Sequence, residues 1–356
     1  MLPLLSDYQI KEANRYYWIV KGQLIPDTWS VADVSRVYDN YFVRIWGNNE
    51  NYVHEDGFKH AWNKRNGDNY MIPVIDFKSK DVLSQIEKAY TTVGFAVFTN
   101  CLSNIERGDM SCWFDEMKQF FALDHDTKMK YPYEGDTNLG YSMVGDENVD
   151  PTAPKDLKES FNYNNLRMGD HLWPAGLPNF KSSALNSIDI ADKLTLRILA
   201  MFDKILNTGT TLVDAHSIPF NTTRVIHYPA VDGALETRQM RIGEHSDYGT
   251  ITLLWQINDV PGLEVQDLEG VWHPVPYAED GVICNIGDLL QRWTNDYFKS
   301  TKHRVVNSHI HQERYSMPHF VDPTPGTMIR NLRNEEPKYD PIESKEYLMW
   351  RLSQSY

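Results

Sequence analysis

The spacing of hydrophobic residues along the chain changes near Asn221. Before that residue, apolar side chains in several segments recur every three or four positions, which is the period of an amphipathic helix. The helices predicted on this basis cover residues 81–92, 104–123 and 187–207. Two short β-branched runs, 71–77 and 94–99, flank the first of these helices and predict strands.

After Asn221, short stretches rich in β-branched and aromatic residues alternate with turn signals such as Val260-Pro261-Gly262. The strands predicted there are 222–228, 238–245, 249–256, 262–267, 271–275, 281–286, 302–307 and 313–321. Short strands at this spacing are typical of a sandwich or jelly roll. Residues 131–185, rich in Pro, Gly and Asn, are predicted to form long loops, and residues 344–356 a terminal helix.

The first 70 residues, rich in Trp and Asn, differ in composition from the rest. Two helices are predicted there, from Ser6 to about Val20 and from about Ser30 to about Trp46. The chain is therefore divided into a helical extension of unknown role, an α/β region, and a part with a backing helix, a jelly-roll core and a C-terminal helix. These three parts are residues 1–70, 71–185 and 186–356. The fold class predicted from the pattern is mainly β with flanking helices, around a sandwich or jelly-roll core.

Composition narrows the function classes. The 356 residues are 41% hydrophobic and 24% charged, as in ordinary globular proteins. A net charge of −14 disfavours binding to nucleic acid or anionic membranes, which requires positive charge. No apolar run reaches the roughly 18 residues of a membrane span, and the N-terminus lacks signal-peptide features. Three cysteines without a CxxC spacing indicate no disulfide framework, so a cytoplasmic protein is expected.

The pattern His-x-Asp occurs twice, at His54 and Asp56 and at His245 and Asp247. Residues two apart on a strand point to the same face, so such a pair can bind one metal ion. The motif alone is weak, because a chain with 12 histidines produces it by chance. The first pair lies in a polar Asn-rich stretch, where a solvated loop is the simpler interpretation. The second ends a predicted strand, and His303 in a later strand could complete a two-histidine, one-carboxylate iron site.

Arg314 and Ser316 stand two residues apart on the last predicted strand. A guanidinium beside a hydroxyl is suited to bind a carboxylate through a two-point fork and one further donor. The alternative is that Arg314 pairs with an acidic neighbour. His309 and His311 also resemble a ligand pair, but they lie in a polar connection between strands, where a solvated loop is the simpler interpretation.

These residues and the motifs around them resemble the Fe(II)- and 2-oxoglutarate-dependent dioxygenases of the isopenicillin N synthase-like family. The resemblance runs from Met71 to about Trp350. The other segments that carry it are 71–77, 94–95, 120–131, 140–141, 156–161 (DLKESF), 172–174, 227–229 (HYP), 285–290 (NIGDLL) and 294–305. The fold that the resemblance implies is a distorted double-stranded β-helix (jelly roll), which is one of the two architectures that the strand pattern allows.

The resemblance also implies roles for individual residues. The implied iron ligands and catalytic residues are His245, Asp247 and His303. The residues implied to hold 2-oxoglutarate are Arg314, Ser316 and Tyr228. The chain departs from the plant enzymes at Ile226, where an Asn is common, and at Asn295-Asp296, where an Asn-Gly turn is common.

The positions implied to face the substrate are Tyr141, Phe161, Phe320 and Asp322, and the helix around Trp350 is expected to close the pocket. Aromatic residues with one acid suit a small organic molecule that can carry an amine. The implied reaction consumes O2 and 2-oxoglutarate, releases succinate and CO2, and oxidises a C–H bond by hydroxylation, desaturation or ring closure. The alternatives are an iron oxidase of the same fold that needs no 2-oxoglutarate, and a jelly-roll binding protein. A monomer is expected.

Overall fold

Two β-sheets lie at the centre of the computed structural model, which describes residues 72–146, 154–232, 240–307 and 309–355. The strands are β1 Val74–Asp76, β2 Phe95–Thr99, β3 Gly140–Ser142, β4 Glu159–Tyr163, β5 Thr222–Tyr228, β6 Ile242–His245, β7 Ile251–Gln256, β8 Leu263–Gln266, β9 Trp272–Pro274, β10 Val282–Ile286, β11 His303–Val305, β12 Arg314–Val321, β13 Met328–Ile329 and β14 Ile342–Glu343. The helices are α1 Val82–Thr92, α2 Asn104–Phe121, α3 His125–Lys128, α4 Phe180–Leu206, α5 Thr211–Ala215, α6 Asp288–Trp293 and α7 Ser344–Ser355.

The larger sheet has eight strands in the order β1-β2-β10-β7-β12-β5-β4-β3, and the smaller has four in the order β6-β11-β8-β9. Only the β1–β2 pair in these two sheets is parallel. Neighbouring strands come from distant parts of the chain, as when β12 pairs with both β5 and β7. The predicted β core with flanking helices is confirmed.

The two faces of the larger sheet differ because successive side chains of a strand point to opposite sides. On one face, Phe161 and Tyr163 of β4 contact Phe180 of α4 and Trp113 of α2. The other face contributes to a second apolar cluster, which joins both sheets. Its members on the larger sheet include Phe95, Ile226, Tyr228 and Ile283, and those on the smaller sheet include Ile242, Leu263, Val265 and Val305.

Helices α2 and α4 cover the outer face of the larger sheet. Helix α2 begins with a capping box, in which the Glu106 backbone N–H donates to Ser103 Oγ and the Ser103 N–H to Glu106 Oε2. Helix α4 buries one stripe of apolar side chains at helical spacing. Among the residues described, no helix combines the length and apolar character needed to cross a bilayer.

Most of the predicted elements are confirmed to within a few residues, and each of the eight strands predicted after Asn221 has a counterpart. The first two residues of the predicted strand 238–245 lie outside the described residues. The prediction of loops over 131–185 is wrong in part, because β3, β4 and the start of α4 lie there. Strands β3 and β4 are only three and five residues long and lie among Pro, Gly and Asn residues, so the composition of the segment favours loops although polar and aromatic residues alternate over 160–163. The helices predicted before residue 70 lie outside the described residues.

A buried carboxylate ties the edge of the larger sheet to helix α3. Glu159 Oε2 accepts hydrogen bonds from Lys128 Nζ at 2.8 Å and from the Tyr141 hydroxyl at 2.5 Å. Its Oε1 lies 2.7 Å from His227 Nδ1 on β5. Burial alone would raise the pKa of Glu159, but these three partners hold it below its ordinary value. The carboxylate therefore stays ionised and joins three strands and a helix.

Replacing Glu159 by Ala should lower the free energy of unfolding by about 3–5 kcal/mol, because Lys128 would be left buried without its partner. Chemical denaturation measures the change. As a control, Asp189→Ala breaks an exposed pair with Lys193 and should change stability by about 0.5 kcal/mol at most. Equal effects of the two substitutions would contradict the structural role of Glu159.

Candidate active site

Two histidines lie side by side on neighbouring strands of the smaller sheet. His303 at the start of β11 pairs in register with His245 at the end of β6. Their ring centroids are 4.2 Å apart. In each ring, Nδ1 lies next to a backbone carbonyl two residues earlier, Gly243 O at 2.9 Å and Thr301 O at 3.1 Å. Donation from Nδ1–H to these carbonyls leaves each Nε2 with a free lone pair, as a metal ligand requires.

Asp247 brings a carboxylate to the same point. Its Oδ1 lies 3.9 Å from His245 Nε2 and 3.7 Å from His303 Nε2. Its Oδ2 accepts hydrogen bonds from Thr252 Oγ1 at 2.6 Å and from Asn285 Nδ2 at 2.7 Å. The three potential ligand atoms all lie within 4.8 Å of one another. One carboxylate oxygen is thus held in place while the other faces the histidines.

The electrostatics of this group suit a divalent cation. Burial, followed by the nearby charge of His303, lowers the pKa of His245 to about 4. Burial opposes ionisation of Asp247, yet the positive charges that His303 and His245 can carry keep its pKa below the ordinary value. At neutral pH, His245 is therefore neutral and Asp247 is ionised. These are the protonation states that metal ligation needs.

The first residue of β12, Arg314, has a buried cationic side chain. Arg314 is 1% exposed, and neither terminal nitrogen of its guanidinium has a hydrogen-bond partner within the described ranges. Its Cζ lies 4.9 Å from the centroid of the Tyr228 ring, and Tyr228 is its register partner on β5. Ser316 Oγ lies 3.5 Å from the Tyr228 hydroxyl. The acidic partner considered for Arg314 is absent from the described residues, so this pocket can accept a carboxylate.

The four predicted substrate-facing residues divide between two places. Tyr141 and Phe161 contact Phe120 of α2, so they lie on the helix-covered face of the sheet and not on the face of Tyr228 and Ser316. The reason is strand alternation, since Phe161 pairs in register with Val225, one position out of phase with Tyr228. The prediction that these two residues face the pocket is therefore corrected.

Phe320 and Asp322 lie closer to the histidine cluster. Phe320 pairs in register with Thr252, whose hydroxyl holds Asp247. Burial raises the pKa of Asp322 to about 6, while Arg167 opposes the shift and Asp247 adds to it. Asp322 is therefore an acid whose negative charge is poorly compensated.

The C-terminal helix reaches the histidine cluster through an arginine that sequence reasoning missed. Trp350, expected to close the pocket, is half exposed. Its neighbour Arg351 pairs with Asp288 at 2.5 Å, and Asp288 accepts a hydrogen bond from Ser246 Oγ at 3.0 Å. Ser246 lies between His245 and Asp247, so helix α7 is tied to the loop that carries both.

Other predicted candidates lie elsewhere. His311 is exposed and lies 3.6 Å from Asp232, in agreement with the solvated-loop interpretation. His54 and Asp56 fall outside the described residues. Thr252 and Asn285, which hold Asp247, were not predicted as functional, although Asn285 begins the NIGDLL motif.

The chain matches two family models. Residues 219–323 match the 2OG-Fe(II) oxygenase superfamily, and residues 72–179 match the model described as non-haem dioxygenase in morphine synthesis N-terminal. A proline hydroxylase of Petromyces alliaceus is 34% identical over 303 residues, which cover 75% of this chain and 91% of that protein. A homoarginine-6-hydroxylase of Glycine max is 28% identical over 71% of this chain and 80% of its own length.

Comparison with solved structures agrees with these family matches. The chain is similar to a full-length Neurospora crassa protein that was crystallised in complex with alpha-KG and thymine, with a TM-score of 0.71 and 31% identity over 81% of this chain and 98% of the Neurospora chain. The chain belongs to the 2OG-Fe(II) oxygenase superfamily. It is a non-haem iron dioxygenase with the jelly-roll fold, which uses Fe(II), 2-oxoglutarate and O2 to oxidise a small-molecule substrate.

Asn285→Ala should raise the dissociation constant for Fe(II) about 10- to 100-fold, because residues that orient a metal-binding side chain contribute on this scale. Anaerobic titration of the metal-free protein with Fe(II) measures the change. Asn331→Ala, which removes an amide bonded to the Glu335 carbonyl, is the matched control and should bind Fe(II) as the wild type does. Unchanged affinity in Asn285→Ala would contradict the positioning of Asp247 described above.

Proposed function

We propose that His245, Asp247 and His303 are the Fe(II) ligands of this oxygenase. The observation that carries the proposal is the meeting of two imidazole Nε2 atoms and one carboxylate oxygen within 4.8 Å. Two histidines and one carboxylate are the ligand set of non-haem Fe(II) oxygenases, in which the remaining positions stay open. The hydrogen bonds to Nδ1 and to Asp247 Oδ2 support it, because they orient all three groups.

We propose that Arg314, Ser316 and Tyr228 hold the far carboxylate of 2-oxoglutarate. A buried guanidinium without a protein partner is costly unless an anion reaches it. The planar fork of Arg314 suits a carboxylate, and the hydroxyls of Ser316 and Tyr228, which lie 3.5 Å apart, can supply further donors. Ile226, which stands where plant enzymes often have Asn, supplies an apolar wall here.

The bound iron, with 2-oxoglutarate and O2, supplies the oxidising chemistry that side chains lack. The protein's own residues bind and orient. His245, Asp247 and His303 fix the metal, and Arg314 fixes the orientation of the cosubstrate. The apolar cluster between the sheets, which contains Ile226 and Tyr228, excludes water from this space.

For the substrate, we propose a small molecule that carries a basic nitrogen. Asp322 supports this, because a cationic or N–H donor group would compensate its buried charge. Phe320 on the same strand end provides an apolar wall. Two relatives are named as hydroxylases of proline and homoarginine, both amino acids with basic nitrogen. A screen for succinate release with amino acids and, as the competing class, pyrimidine bases tests the assignment.

We also retain three expectations as proposals. The chain is proposed to divide into residues 1–70, 71–185 and 186–356, and the first of these boundaries is supported by the family match that begins at residue 72. The absence of nucleic-acid and anionic-membrane partners is supported by the net charge of −14, and a monomer in the cytoplasm is the third proposal. Sedimentation and cell fractionation test these points.

His245→Ala and His303→Ala should each abolish Fe(II) binding and succinate formation, while the protein still unfolds cooperatively at a similar temperature. Removal of one ligand destroys the metal site, but the core does not depend on these side chains. His54→Ala removes the histidine of the other His-x-Asp pattern and should behave as wild type. Full iron binding in His303→Ala, or its loss in His54→Ala, would contradict the ligand assignment.

Arg314→Lys should raise the apparent KM for 2-oxoglutarate about 10- to 150-fold, since the charge stays but one charge-assisted hydrogen bond is lost. Fe(II) affinity should stay unchanged. Initial rates across a 2-oxoglutarate titration provide the measurement, with exposed Arg330→Lys as control. An unchanged KM in Arg314→Lys, or full wild-type turnover without any keto acid, would count against the cosubstrate assignment.

A further inference from the structure

A second arginine is buried beside the pocket of Arg314. Arg241 immediately precedes β6 and is 0% exposed. One terminal nitrogen, Nη2, donates to the backbone carbonyl of Gln312 in the segment that leads into β12. Its Nε and Nη1 are buried and have no hydrogen-bond partner in the described parts of the chain. An arginine this deep in a protein normally has its N–H groups paired.

Arg241 and Arg314 both lie near the ring of Tyr228. The Cζ atoms of Arg241 and Arg314 lie 5.8 and 4.9 Å from the centroid of Tyr228. Burial, and after it the charge of Arg314, lower the pKa of Arg241. The face of Tyr228 compensates a cation only in part. Two guanidinium groups that repel each other at low exposure need an anion between or beside them.

The unpaired donors and the positive charge of these two arginines indicate which anion would bind. Arg314 offers Nη1 and Nη2, and Arg241 offers Nε and Nη1, so N–H groups of two planar forks remain unpaired within the described ranges. A carboxylate has two oxygens with about four acceptor sites, enough for donors from both forks. A neutral ligand would satisfy the N–H groups but leave both positive charges uncompensated.

We propose that Arg241 is a second positioning residue for the far carboxylate of 2-oxoglutarate, which it holds together with Arg314. The inference rests on the proposed function of Arg314 and goes beyond it, because it assigns a binding role to a residue outside the Arg-x-Ser pair. Arg241 is joined through the chain to β6, which ends in His245. Bound cosubstrate therefore links β12 to the strand that carries the first iron ligand.

The test compares two keto acids that differ only at the far end. 2-Oxovalerate has a methyl group where 2-oxoglutarate has its far carboxylate, so it keeps the metal-binding end and loses the group that Arg241 is proposed to hold. Anaerobic calorimetry of the Fe(II)-loaded protein measures both dissociation constants. The variants are Arg241→Met, which keeps length and removes charge, Arg241→Lys, and the exposed control Arg330→Met.

Arg241→Met should raise the dissociation constant for 2-oxoglutarate about 10- to 150-fold, the equivalent of one charge-assisted hydrogen bond. Its dissociation constant for 2-oxovalerate should stay within about twofold of the wild-type value. The 2-oxoglutarate affinity of Arg241→Lys should lie between those of wild type and Arg241→Met, because lysine restores the charge without the planar fork. Arg241→Lys also serves as the test variant if Arg241→Met does not fold. Arg330→Met should match wild type for both ligands.

Three results would separate the hypotheses. Equal weakening of both keto acids would make Arg241 a structural residue and overturn the inference. Unchanged 2-oxoglutarate affinity in both Arg241 variants would overturn it as well, while the role of Arg314 would stand. If wild type bound the two keto acids equally well, the proposed carboxylate pocket itself would be wrong, and the inference would fall with it.

Discussion

The carboxylate of Asp247 joins the two sheets of the jelly roll, and the geometry of the site depends on this contact. Its Oδ2 is held by Thr252 on β7 and Asn285 on β10, both in the larger sheet. Its Oδ1 faces His245 and His303, which pair across the smaller sheet. The sheets can therefore present three ligand atoms to one point only if they keep their relative position. That position is maintained by the apolar cluster between them, so the packing of the sheets fixes the geometry of the two imidazoles and the carboxylate.

Because side chains alternate along each strand, the core residues and the site residues lie on opposite faces of the larger sheet. On the helix-covered face, β4, β5 and β12 contribute large apolar groups such as Phe161, Val225 and Met317 to the main core. On the opposite face, the same strands carry Tyr228, Ser316 and Arg314. A shift of register by one residue would exchange the two sets. This explains why Tyr141 and Phe161, near in sequence to the site motifs, belong to the core.

Sequence reasoning reached the fold and the centre of the site for identifiable physical reasons. The strands after Asn221 have clear turn signals, and the pair His245 and Asp247 stands at the end of a strand, among motifs that resemble those of a known family. Strands β3 and β4 were missed because they are only three and five residues long and lie in a stretch rich in Pro, Gly and Asn, where the composition favours loops over the short alternation of polar and aromatic residues. Thr252, Asn285 and Arg241 were missed for another reason. Their importance comes from contacts with residues distant in sequence, and no local pattern records such contacts.

The central claim is that the two imidazoles and the one carboxylate bind iron between the sheets while Arg314 holds the far end of the cosubstrate. The most direct measurement is a crystal structure grown anaerobically with Fe(II) and 2-oxoglutarate, with anomalous diffraction recorded at the iron edge. The account predicts a single strong anomalous peak within bonding distance of His245 Nε2, His303 Nε2 and Asp247 Oδ1, with a carboxylate of 2-oxoglutarate against the Arg314 guanidinium. An iron peak away from these three atoms, or a cosubstrate that does not reach Arg314, would contradict it.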